Sequence, residues 1–173
     1  MSPAPRHLPP LALLLAGVLA AAAPAAAEDY RVGDVRIERP WARATAGNSR
    51  VGAAYFTLEA VGAAPDRLMR VESLVATTTE LHAHMMHDNV MQMRPVGAIE
   101  VQPGAPTVLQ PGGLHVMLTD LKAPLTAGQR FALTLQFERA GRIEIMVPVE
   151  RAGARGPGEG GGGMPMHHKP PGS

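Results

Sequence analysis

Apolar and polar residues take turns, one for one, through most of the middle of this chain. Phe131, Leu133, Leu135 and Phe137 alternate with Ala132, Thr134, Gln136 and Glu138. Ile143, Ile145, Val147 and Val149 alternate with Glu144, Met146, Pro148 and Glu150. A period of two puts one set on each face of a strand, so these runs predict a hairpin with one buried face, linked through Gly141. Pro148 has no N–H to offer a neighbour, which predicts a sheet edge at the second strand. Leu114, Val116 and Leu118 alternate in the same way with His115, Met117 and Thr119. Further strand-like runs are Val32 to Ile37, Ala53 to Leu58, Leu68 to Val75, Thr78 to Met86 and Val90 to Val96. Helical periodicity is hard to find. Pro103-Gly104, Pro111-Gly112-Gly113 and Ala127-Gly128 are turn signals, recurring roughly every ten residues. Many short strands at that spacing predict an all-β antiparallel sandwich or barrel.

Both ends break the pattern. Arg6 and His7 precede an apolar run from Leu8 to Ala23, and Ala25-Ala26-Ala27 sets small residues ahead of Glu28-Asp29. That reads as a cleavable secretory signal peptide over residues 1–27. The run is too short for a membrane anchor, and no stop-transfer segment follows it. The expectation is export to a bacterial periplasm, with no membrane span after cleavage. From Gly153 the composition collapses to glycine and proline. Such a segment cannot offset its ordering entropy, so residues 152–173 are expected to form a flexible tail. Residues 28–151 are then the folded unit, a size at which a single core is feasible.

Composition narrows the function classes. The 173 residues carry 16 Lys and Arg against 15 Asp and Glu. Loss of residues 1–27 removes Arg6 and leaves 15 of each sign, a neutral chain. Aromatics are only 3%. A nucleic-acid binder needs a basic footprint and usually stacking rings, so nucleic acid is not an expected partner. An anionic membrane surface is not suggested either. Cysteine is absent, which excludes a disulfide scaffold, a thiolate zinc site, a cysteine nucleophile and a blue-copper centre.

Ten methionines and seven histidines stand out instead. Between Glu80 and Met93 lie three histidines and four methionines. On a strand, His82, His84 and Met86 share one face, as do Met91 and Met93. Asp88-Asn89 is a turn-forming pair that suits a hairpin. A loop at His87-Asp88 sets His82 opposite Met93, and a loop at Asp88-Asn89 sets His84 there; both registers are open. His115 and Met117 project together from the face their neighbours Leu114, Val116 and Leu118 leave free. Imidazole and thioether are neutral, soft to borderline donors, and thioether sulfur selects Cu(I) over magnesium, calcium or zinc. Thioethers also survive an oxidising compartment, where thiolates pair off. Met69 and Met146 read as packing residues. Met164-Pro165-Met166-His167-His168 repeats the same donors in the tail, with the histidines suited to Cu(II).

These residues resemble a known family. His82, ten residues, Met93, twenty-one residues, His115, one residue and Met117 reproduce the H-x10-M-x21-H-x-M signature of periplasmic PCu(A)C copper chaperones. The likeness extends through Pro40-Trp41-Ala42-Arg43-Ala44-Thr45, Gly52-Ala53-Ala54-Tyr55-Phe56, Asp66-Arg67-Leu68, Val90-Met91-Gln92-Met93-Arg94-Pro95 and Pro111-Gly112-Gly113-Leu114-His115. Asn89 stands where that pattern usually has glycine. The resemblance implies a cupredoxin-like antiparallel Greek-key β-sandwich with one Cu(I) site made by His82, Met93, His115 and Met117. His84, Met86 and Met91, with Met164, Met166, His167 and His168 of the tail, are secondary candidates. It also implies copper delivery to the Cu(A) domain of cytochrome c oxidase subunit II, sometimes alongside a Sco-type thiol protein. A copper sequestration protein without an acceptor would show the same ligands. No Ser-His-Asp set or carboxylate pair points to an enzyme. Trp41 is expected in the core.

Overall fold

The computed structural model describes residues 29–87 and 90–158; the signal-like residues 1–27 and the Met164–His168 cluster lie outside these. The described residues form eleven strands and no helix. They are β1 (Tyr30–Val32), β2 (Val35–Arg43), β3 (Val51–Ala60), β4 (Asp66–Glu72), β5 (Ala76–His87), β6 (Val90–Pro95), β7 (Ile99–Val101), β8 (Thr107–Val108), β9 (His115–Leu121), β10 (Arg130–Phe137) and β11 (Arg142–Glu150). The hydrogen-bonded order is β6-β5-β9-β3-β2-β11-β10-β4-β7, with β1 on β2 and β8 on β3. One layer runs from β6 to β2 and the other from β11 to β7.

The alternation explains the core. Phe131, Leu133, Leu135 and Phe137 of β10 and Ile145, Val147 and Val149 of β11 are buried. They meet Ile37, Phe56, Leu58, Leu81, Val116 and Leu118 from the facing layer in one cluster. Each such side chain contributes about 1.5–3 kcal/mol by leaving water, which is why the period-two signal is strong where both layers meet.

Pro148 does not mark a free-standing edge. The strand that holds it, β11, pairs with β10 along its length, setting Pro148 opposite Arg130, and also meets β2. The β2 contact is parallel, the exception in an otherwise antiparallel set, and covers only Val149↔Ala42 and Glu150↔Arg43. Pro148 sits just before it, where no partner on that side asks for an N–H.

A bulge sets the face of β2. Val35 and Ile37 point inward, but the register with β3 shifts between Glu38 and Trp41, and Arg39 has φ of 48°. A bulge inserts an unpaired residue and changes which side chains point inward. Ala42 then enters the core, and Trp41 turns to the outer face. There it forms a separate buried cluster with Tyr55 and Ala154, so Trp41 is buried but not in the inter-layer core.

Ala154 belongs to residues 152–158, which follow β11 and fold back on this outer face as turns. Ala154 is 0% exposed, its carbonyl accepts from Arg43 Nε at 2.6 Å, and Glu150 Oε1 accepts from Gly158 N at 3.0 Å. This stretch, expected on composition to be tail, packs on the domain as far as Gly158. Small residues fit closely over the Trp41 and Tyr55 rings, so low hydrophobic content did not prevent docking.

Candidate metal centre

The β5–β6 hairpin decides which groups face one another. His87 pairs with Val90, leaving two residues between the strands, and the register sets His84 opposite Met93, Met86 opposite Met91, and His82 opposite Pro95. Of the two open registers, the one that sets His84 opposite Met93 is adopted. On its other side β5 pairs with β9, placing His82 opposite His115 and Glu80 opposite Met117. Met117 also faces Ala53 of β3. The outer face of this layer therefore gathers imidazoles and thioethers from three consecutive strands.

His115 is the centre of the group. Although it points away from the inter-layer core, it is only 3% exposed. Its ring lies 5.2 Å from that of His84, 5.8 Å from His82 and 6.5 Å from Tyr55, centroid to centroid. Trp41 stacks behind Tyr55 at 4.6 Å. The loop Pro111-Gly112-Gly113 crosses the end of the site, with Gly112 at φ 81°, a left-handed conformation that glycine takes without strain. The Gly113 carbonyl turned inward by this loop accepts from His115 Nδ1 at 3.0 Å and from His84 Nδ1 at 3.4 Å. A carbonyl only accepts, so both rings carry the proton on Nδ1. A neutral ring so held keeps its Nε2 lone pair for another partner.

A cavity of about 290 Å³ opens onto these groups. His84, Met93, His115 and Met117 line it, together with Tyr55 and Arg43. The loop after β2 closes one side and is pinned by Thr45, whose N–H reaches Leu125 O at 2.9 Å and whose Oγ1 accepts from Leu125 N at 3.1 Å. Met93 is 44% exposed, so the site is open at its β6 edge. A second cavity, near Asp34 and Asp66, has its buried Asp66 carboxylate taken up by the backbone N–H groups of Arg67, Arg139 and Ala140.

Of the four signature residues, Met93, His115 and Met117 share the cavity, and His82 stands beside it. His82 Nε2 lies 3.2 Å from Glu80 Oε2, and its Nδ1 is buried without a hydrogen-bond partner. Met86 and Met91 face each other at the far end of the hairpin, 64% and 56% exposed, and do not line the cavity. Several neighbours went unassigned in the sequence. Glu80 was within reach, since a residue two before His82 on a strand shares its face. The Gly113 carbonyl and the Ala154 cover had no comparable signal, because they act through backbone position.

Burial holds the His115 imidazole below its ordinary pKa, and the nearby His84 and His82 push the same way; the Gly113 carbonyl opposes them by accepting from the ring. The charged ring is thus disfavoured, which suits a ligand that must be neutral. Burial likewise raises the Tyr55 hydroxyl, with Arg43 acting in opposition. Among the described residues no group of three or more His, Cys, Asp or Glu side chains is arranged to hold a metal ion. A thioether-binding ion would meet Met93 and Met117 beside the imidazoles.

A family model described as "Putative lipoprotein LpqE-like" matches residues 35–149, most of the chain. A protein of Leifsonia xyli subsp. xyli (strain CTCB07), described as "Putative lipoprotein Lxx21020", is 29% identical over 117 residues, 67% of this chain and 69% of that one. The copper-bound PCuAC domain from PmoF2 is 30% identical with a TM-score of 0.62, spanning 72% of this chain and 98% of that domain. The solution structure of CuI-DR1885 from Deinococcus radiodurans is 27% identical with a TM-score of 0.52, spanning 72% of this chain and 82% of that one. The all-β sandwich is accordingly of the cupredoxin-like PCuAC type.

Proposed function

The chain belongs to the LpqE-like family and has the PCuAC-type fold, and from that premise we propose that it is a copper-binding protein that carries Cu(I) and hands it on. The observation that carries this reading is the gathering of Met93, His115 and Met117 around one open cavity, with the His82 ring 5.8 Å from that of His115. The donors fit the ion. Thioether and neutral imidazole bind Cu(I) without a charged thiolate, and His82 Nδ1 is a buried nitrogen with no protein partner. Two relatives of the same fold are described with copper, one of them with CuI. His82, Met93, His115 and Met117 are the proposed ligands.

The copper is cargo rather than a reagent, and the protein acts by ligand exchange, not catalysis. The half-exposed Met93 supports this, since an acceptor's ligand can approach from the β6 side while His115 still holds the ion. The proposed acceptor is the Cu(A) domain of cytochrome c oxidase subunit II, with a Sco-type thiol protein as a second partner. The setting is the periplasm, a placement supported by the signal-like residues 1–27 and by the description of the Leifsonia relative as a lipoprotein. Met164, Met166, His167 and His168 are proposed to capture copper, as Cu(II) on the histidines. Met164 lies six Cα–Cα steps beyond Gly158, a reach of at most about 20 Å, and Gly158 is tied to Glu150, whose neighbours Arg43 and Ala44 border the cavity.

The test is a transfer assay. Cu(I)-loaded protein is mixed with the reduced, metal-free Cu(A) domain, the two are separated, and copper is measured in each. Copper in the acceptor supports delivery. Copper retained by a protein that binds it well identifies a sequestration protein instead.

A further inference from the structure

His84 stands outside the H-x10-M-x21-H-x-M signature, yet the structure gives it the surroundings of a ligand. Three independent features agree. The hairpin register puts it directly across from Met93, the place His82 would occupy in the alternative register. Its ring is nearer to His115 than the ring of His82 is, at 5.2 against 5.8 Å. It lines the cavity with Met93, His115 and Met117.

The fourth feature is the proton. His84 and His115 both direct Nδ1 at the Gly113 carbonyl, so both neutral rings have their lone pair on Nε2. A hydrogen bond from the second ring nitrogen to a backbone carbonyl orients a metal-ligating imidazole and raises its basicity. One carbonyl thus prepares two rings together. His82 is held otherwise, with Nε2 on the Glu80 carboxylate.

We propose that His84 is a ligand of the copper held by this site, binding beside His115 and across from Met93. The assignment rests on the copper-binding reading above. It makes the centre richer in nitrogen than the four-residue signature, with His82 and His84 as two imidazoles within one strand pair that can exchange the ion. Exchange between neighbouring ligands is the elementary step by which a carrier releases metal without ever leaving it bare.

The experiment compares full-length wild type, His84→Leu and His82→Leu by competition with a Cu(I) chelator, with circular dichroism confirming the fold. His84→Leu is expected to lose Cu(I) affinity by about tenfold or more. Affinity equal to wild type in a folded His84→Leu protein overturns the assignment, and a loss confined to His82→Leu leaves the signature standing without His84. Wild type that takes up no Cu(I) overturns the copper reading itself, a result distinct from either. A second measurement keeps the test decisive should the variant misfold. Wild type loaded with Ag(I), a soft surrogate for Cu(I), should show the His84 ring protons shifted in NMR spectra along with the Met93 and Met117 methyls. Silver bound with the His84 ring unmoved overturns the proposal.

Discussion

His84 and His115 lie on neighbouring strands with their rings 5.2 Å apart, and both direct Nδ1 at the carbonyl of Gly113. This contact, made by a loop between β8 and β9, sets the tautomer of two imidazoles at once. For His115 the same carbonyl favours the protonated ring, in opposition to burial.

The first prediction concerns pH. Folding holds His115 below the ordinary imidazole range, chiefly because burial disfavours its charged form. The unfolded chain then binds a proton that the folded chain resists, so stability rises with pH in that window. The stabilising contribution is present above about pH 6.5, the unfolded value, and is lost as pH falls from there through the lower folded value. Metal-free wild type should therefore have a lower denaturant midpoint at pH 5 than at pH 7.5, and His115→Phe should show a smaller drop. Equal drops in both proteins would show that His115 does not carry the effect.

Sulfur, not bulk, is what Met93 and Met117 are expected to supply. Isoleucine at both positions keeps an apolar side chain of similar size, and neither methionine belongs to the inter-layer core. The double variant should keep its thermal midpoint within a few degrees and lose Cu(I) affinity, read by chelator competition. Unaltered affinity would remove both thioethers from the site.

Ala154 should act as a cover for the only tryptophan in the chain. Ala154→Asp forces a carboxylate against the Trp41 and Tyr55 rings, which costs more than releasing the segment. Trp41 emission is expected to shift to the red and become accessible to acrylamide, with global stability lowered by about 1–2 kcal/mol. For the same reason a truncation meant to isolate the role of Met164, Met166, His167 and His168 belongs after Gly158. Cutting at Arg151 would strip the cover as well. Truncation after Gly158 should abolish Cu(II) uptake while one Cu(I) equivalent remains.

A core change offers the opposite signature. Leu133 is fully buried where the two layers meet. Leu133→Ala should cost about 2–5 kcal/mol of stability. Cu(I) affinity in the folded fraction should be unchanged, because the outer face is built on β5, β6 and β9 rather than β10. A matched loss of affinity would couple the core to the metal face.

What the sequence determined by itself is the part governed by local periodicity. The β10–β11 hairpin was readable from its alternation, since Phe131, Leu133 and Leu135 pair with Val147, Ile145 and Ile143 in that phase, although the second neighbour of β11 was not. So were the strand positions of His82, His84, Met93, His115 and Met117, and the preference of their donors for a soft ion. The short strands β7 and β8 were not, because two or three residues hold too little pattern to register. Tertiary structure decided the rest. The hairpin register had two solutions of equal local merit, and only the folded structure shows that His84 rather than His82 stands opposite Met93. The bulge at Arg39 sent Trp41 to the outer face, and residues 152–158 closed over it although their composition resembles a loose tail. The cover over Trp41 comes from Ala154, more than a hundred residues away, and its geometry is absent from any local run of residues.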